Sequence, residues 1–154
     1  MKSITLKGRK VVPGRAKGEA VVSAEPISFI GGVDPLTGVV TEPGHPLEGV
    51  CLAGKVLVYP TGKGSTGGSY RIYDMAVHRT GPVAFVQLQS EPIATIGAIM
   101  GDMPVVDGLD RNPLEVIATG DTVEVDADRG LVIVTPKEGS PGIGAAGQGE
   151  KKCF

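Results

Sequence analysis

Val56-Leu57-Val58-Tyr59-Pro60-Thr61-Gly62-Lys63-Gly64-Ser65-Thr66 begins as an unbroken apolar run and ends as a glycine-rich turn. A short run without polar alternation reads as a buried strand. A helix is expected next. Ser65, Thr66 or Ser69 could cap it, and Ile72, Tyr73, Ala76 and Val77 form one apolar stripe before His78-Arg79 and the Gly81-Pro82 stop. The unit is therefore strand, loop, helix.

Downstream, Val83-Ala84-Phe85-Val86 reads as a second strand, Pro92 to Met100 as a short apolar helix with proline in its first turn, and Met103 to Val106 as extended chain. Upstream, Lys17 to Ser23 follows the turn Val12-Pro13-Gly14 and reads as a strand, while Leu52 to Tyr59 holds the central one. Between them, Ser28 to His45 has the composition of an ordered loop, with Asp34-Pro35-Leu36-Thr37-Gly38 as a turn. Thr122 to Asp126 and Leu131 to Val134 flank Asp128-Arg129-Gly130 as a hairpin. From residue 137 to 154 large apolar groups are too few to offset the entropy of ordering, so the reading is one domain, 1–136, and a disordered glycine-rich tail, 137–154.

Composition narrows the function classes. A chain of 154 residues suits one domain, and 24 glycines, 12 prolines and 4% aromatics favour short strands and tight turns over long helical bundles. Fifteen basic and 17 acidic side chains are interspersed, which leaves no phosphate-tracking face and argues against nucleic acid. No stretch approaches the length of a membrane span and no apolar signal core opens the chain, so a cytoplasmic setting is expected. Cys51, Cys153, His45 and His78 share no ligand spacing, so no metal is expected on this chain. Cys51 reads as a small core residue and His45, before a proline in a loop, as structural or at the surface more than functional.

The loop itself carries chemistry. Glycines at 62, 64, 67 and 68 let backbone approach a ligand closely, and N–H groups freed at a strand-to-helix turn can hold an anion, with Lys63 adding a point charge. In such a field the Ser65 hydroxyl could lose its proton, because nearby donors stabilise an oxyanion. A nucleotide P-loop does not fit, since Leu57 stands at its first glycine position and Gly64 at its Ser/Thr position. A glycine turn with Ser65 as a simple helix cap fits equally well. Arg15 and Arg71 could clasp a carboxylate bidentately, although exposed arginines more often do not.

Further stretches add a resemblance. Glu25-Pro26-Ile27-Ser28-Phe29-Ile30-Gly31-Gly32-Val33-Asp34-Pro35-Leu36-Thr37-Gly38, His45-Pro46-Leu47, the loop to Thr66, Ser69-Tyr70, Glu91-Pro92-Ile93, Gly97-Ala98-Ile99 and Pro104-Val105-Val106-Asp107 follow one another in order. Together, over roughly residues 8 to 134, they resemble the small subunit of aconitase X proteins. The resemblance implies an α/β fold, a swivelling β/β/α domain with a β-rich, barrel-like core and two or three flanking helices, like the mobile last domain of aconitases. It implies a hydro-lyase active only with a large subunit that carries an iron–sulfur cluster, this chain holding none. Ser65 is carried over as the catalytic base, with Lys63, Gly64, Thr66, Ser28, Gly31, Gly32 and Asp34 as substrate-binding positions gathered beside it.

Two substrates are open to such a family, (R)-5-phosphomevalonate and cis-3-hydroxy-L-proline, and the form of the loop favours the first. A stand-alone module that binds a phosphorylated metabolite is the reading from another class, and a swivel domain with a retired site is a third.

Overall fold

Leu57 and Tyr59 face one way and Val56 and Val58 the other, and all four side chains are wholly buried. Two different layers therefore cover this strand, as its unbroken apolar composition requires. The computed structural model describes residues 3–137. Its strands are β1 (Ile4–Lys7), β2 (Arg9–Val12), β3 (Arg15–Val22), β4 (Ile27–Ser28), β5 (Val56–Tyr59), β6 (Gly62–Lys63), β7 (Ala84–Gln87), β8 (Val105–Asp107), β9 (Thr122–Asp126) and β10 (Leu131–Thr135). The helices are α1 (Gly67–His78), α2 (Pro92–Met100) and the single turn α3 (Pro113–Val116).

One continuous sheet runs β1-β10-β9-β3-β5-β7-β8-β2. Its centre, β3-β5-β7-β8, is parallel, and β1, β10 and β9 add to it antiparallel. Strand β3 belongs to both parts. Arg15 to Glu19 pair with β9, whereas Ala20 to Val22 pair with β5, so the sheet folds over along this one strand. On one face of the parallel part Leu57, Tyr59, Phe85 and Val105 meet Ile72 and Met75 of α1 and Ala94 and Ala98 of α2. On the other, Val56, Val58, Ala84 and Val86 meet Val123, Val125, Val132 and Val134 of the antiparallel part. The layers are thus β/β/α, as the resemblance implied.

Strands β1 and β2 end the sheet on opposite sides and are separated by Gly8 alone, whose N–H donates to Gly130 O at 2.7 Å. The chain itself closes the sheet, which gives the core its barrel-like character. These two strands are absent from the sequence reading. Both are edge strands carrying Lys7, Arg9 and Lys10, and such charge blunts an edge while hiding its pattern.

The predicted strand at Leu52 begins only at Val56, because Lys55 N–H turns back to Leu52 O at 3.1 Å. Helices α1 and α2 and the β9–β10 hairpin fall where expected. Of the predicted tail, residues 138–154 lie outside the described residues. Lys137 is tied back, its N–H donating to Asp121 Oδ1 at 3.0 Å. Among the described residues no helix is long and apolar enough to cross a membrane.

Candidate functional site

Beyond Tyr59 the chain leaves the C-terminal ends of the parallel strands, the end at which open α/β sheets bind ligands. Strand β6 then pairs in parallel with β4, Ile27 opposite Gly62 and Ser28 opposite Lys63. This small second sheet brings two distant stretches of sequence together. Gly64 has φ +105°, and a Cβ there would stand 2.5 Å from Ser28 Oγ, so the position demands glycine for both conformation and space. Ser28 Oγ donates to Ile30 O at 2.9 Å, and the Ile30 side chain covers Gly67 at the start of α1.

Ser65 is exposed, and its hydroxyl makes no hydrogen bond among the described residues. It is not a cap. Thr66 occupies the N-cap position without a side-chain bond, and Ser69 Oγ instead donates to Ile93 O at 2.7 Å, tying α1 to α2. The carbonyls of Ser65 and Thr66 accept from Gly68 N–H at 2.9 Å and Ser69 N–H at 3.1 Å. Among the described residues the N–H groups of Ser65, Thr66 and Gly67 have no acceptor. Three consecutive uncommitted donors at the positive end of a twelve-residue helix surround the serine, which is the arrangement that holds an anion or lowers the cost of an alkoxide.

Lys63 is placed otherwise than expected. Its Nζ donates to Glu42 Oε2 at 2.8 Å, so its charge is largely spent within the protein. That hydrogen bond holds the Glu42 carboxyl below the usual carboxylate range, against the opposing effect of burial. Glu42 Oε1 is buried against Gly32, itself stacked on Ser28 O, and the Ser28 backbone also helps to lower the carboxyl. Gly31, with φ +83°, is exposed beside it. His45 is buried and braces the same loop. Its Nδ1 accepts from Leu47 N–H at 3.0 Å, which places the ring proton on Nε2, 3.0 Å from the acceptor Pro26 O.

Asp34 does not join this group. Its Oδ1 accepts from Leu36 N–H at 2.9 Å to form the 34–38 turn, and Pro35 O accepts from Thr80 Oγ1 at 2.7 Å. That anchors the turn at the far end of α1, about 18 Å along the axis from Ser65. Arg15 is also remote, at 3.3 Å from Glu124 in the antiparallel layer. Arg71 is near: it lines a groove with Ile30, Gly67, Tyr70, Tyr73 and Asp74. Ser28, Gly32, Lys63, Gly64, Ser65 and Thr66 are therefore assembled, and Asp34 serves turn geometry instead. Glu42 and Ile30 went unread in the sequence, because nothing in the spacing of Glu42 to Lys63 signals a pair 21 residues apart. Among the described residues no three His, Cys, Asp or Glu side chains converge to hold a metal.

Comparison with known proteins places the fold in a family. The family model of the aconitase X swivel domain matches residues 5–134. The phosphomevalonate dehydratase small subunit of Methanosarcina acetivorans is 46% identical over 140 residues, covering 91% of this chain and 97% of its own. The Thermococcus kodakarensis protein of the same name is 50% identical over 127 residues, covering 82% and 93%. The crystal structure of Thermococcus kodakaraensis aconitase X in its holo form superposes with a TM-score of 0.80 at 48% identity, over 85% of this chain and 98% of that one. With a matched domain running from the first strand to the last, a β/β/α fold and near-full-length relatives of one name, the chain belongs to the aconitase X swivel-domain family.

Proposed function

We propose that this chain is the small subunit of a phosphomevalonate dehydratase, a hydro-lyase that works only in complex with a large subunit. In this reading Ser65 is the general base. The complex removes water from (R)-5-phosphomevalonate to give trans-anhydromevalonate 5-phosphate. The observation that carries the reading is the exposed Ser65 hydroxyl, bonded to nothing among the described residues and set among three unspent backbone donors. That the relatives are phosphomevalonate dehydratase small subunits supports both the substrate and a larger partner.

The reaction breaks a C–H bond next to the carboxylate and expels a hydroxyl from the neighbouring carbon. Ser65 Oγ takes the proton, and the N–H groups of Ser65, Thr66 and Gly67 stabilise the alkoxide or the enolate-like charge that develops on the carboxylate. Gly64 leaves room for Ser28 and for substrate backbone contacts, while Lys63, held by Glu42, fixes the loop. In this reading the iron–sulfur cluster sits on the large subunit, as the family resemblance implies. Bound there, it supplies Lewis acidity toward the leaving hydroxyl.

The test is turnover by the purified two-subunit complex. With phosphomevalonate the wild type should release the anhydro product, and Ser65→Ala should lower kcat by roughly 10²–10⁴ with assembly intact. Turnover of cis-3-hydroxy-L-proline in its place would reassign the substrate. Tight binding of phosphomevalonate by the isolated chain, without any large subunit in the native host, would favour a binding module.

A further inference from the structure

We infer that Arg71 is the phosphate-recognition residue of the small subunit, seating the phosphate of the substrate one helical turn beyond Gly67. This rests on the functional reading above and extends it to a residue that carries no assigned role.

Among the cations near the serine, Lys63 is committed to Glu42 at 2.8 Å. Arg71 is not committed, since it makes no ion pair or hydrogen bond with any described residue. Asp74 could have claimed it across three residues, but the Asp74 carboxylate instead lies 3.3 Å from His78 Nδ1. Arg71 stands at i+4 from Gly67, so both lie on one helix face, and helical side chains lean toward the N-terminus. That lean favours the serine end of the groove that Arg71 lines. Gly67 forms the floor of that groove and sits next to Ser65, a Cβ there falling 3.8 Å from Ser65 Oγ. Ile30 and Tyr70 line it too, and its volume of about 480 Å³ exceeds what a six-carbon phosphomonoester needs.

The groove thus offers two anion seats in line. The backbone donors around Ser65 take the carboxylate whose neighbouring proton is removed, and the planar guanidinium, about one turn further on, takes the terminal phosphate bidentately. A substrate bearing an anion at each end of a short carbon chain fits this spacing. One lacking the phosphate would leave Arg71 unused, which makes this residue a determinant of specificity.

The experiment is steady-state kinetics of the two-subunit complex with phosphomevalonate, using inorganic phosphate as a competing probe. Arg71→Ala should raise KM by roughly 10–100-fold with kcat changed less than about threefold, the size expected for losing a charge-assisted bidentate contact. It should weaken inhibition by inorganic phosphate in parallel, and Arg71→Lys should fall between the two. Should Arg71→Ala fail to assemble, Arg71→Gln, which keeps the length of the stem, is read by the same criteria. An unchanged KM in a variant that folds and assembles overturns the inference, as does a loss confined to kcat. A raised KM with phosphate inhibition intact also overturns it, because Arg71 would then hold the carboxylate. If the wild-type complex does not turn over phosphomevalonate at all, the functional reading fails instead.

Discussion

Gly64 shows how much of the site hangs on single atoms. At φ +105° an L-side chain is strained, and a methyl group would press into Ser28 Oγ, the hydroxyl that holds Ile30 O. Gly64→Ala should cost about 1–3 kcal/mol through strain and displacement, and it should act mainly on the loop and not on the core. The expected outcome is a modest fall in Tm with at least a tenfold loss of kcat. A variant of full activity would show that the Ser65 donors do not depend on this backbone shape. His45 works at the same scale, its two ring nitrogens binding Leu47 N–H and Pro26 O, and of the two places the sequence left open, structural or surface, it is buried.

Among the elements, α2 supports the loop as well as the core. Glu91 caps it, its two carboxylate oxygens accepting from Ile93 N–H at 2.9 Å and Ala94 N–H at 2.7 Å, and the same carboxylate lies against Gly62 of β6. Glu91→Ala removes a cap and a wall of the loop together. It should lower stability by about 1 kcal/mol, or a few degrees in Tm, and also reduce activity of the complex. Loss of stability without loss of activity would separate the two roles. Helices α1 and α2 approach closely where Gly97 faces Ile72 and Ser69, a Cβ at Gly97 falling 2.8 Å from Ile72 Cβ. In the sequence Gly97 stands out only within the Gly97-Ala98-Ile99 stretch of the resemblance, since the partner that requires glycine there lies on α1.

For the whole molecule, the closure of the sheet is fastened by charge. Arg9 on β2 makes a bidentate pair with the buried Asp107 on β8, at 2.8 and 2.7 Å, and Ser90 N–H adds a third donor at 2.8 Å. Burial alone would raise the Asp107 carboxyl, but the hydrogen bonds from Arg9 and Ser90 outweigh it and hold the group below its ordinary value of 3.8. A carboxyl depressed on folding contributes stability above its unfolded pKa and loses it as pH falls through the folded one. Asp107→Asn should therefore cost about 2–3 kcal/mol near neutral pH, and the gap to wild type should narrow as pH drops below about 4. Thermal melts at pH 7 and pH 3 check this, and a gap that stays constant would mean the charge is irrelevant.

Local pattern was enough for the β5–loop–α1 unit, α2, the closing hairpin and the glycine-rich turn around Ser65, because apolar period, proline and glycine act over a few residues. Only the tertiary structure decided the rest. The edge strands β1 and β2 carry charge where a pattern would be sought, and they exist because β10 and β8 pair with them. The pairing of β4 with β6 brought Ser28 beside Lys63, which took Glu42 as its counterion, while the 34–38 turn went to the opposite end of α1 and Arg71 has no counterion among the described residues. Contacts between residues tens of positions apart leave no trace in spacing, since each side chain is chosen for a neighbour that only folding supplies.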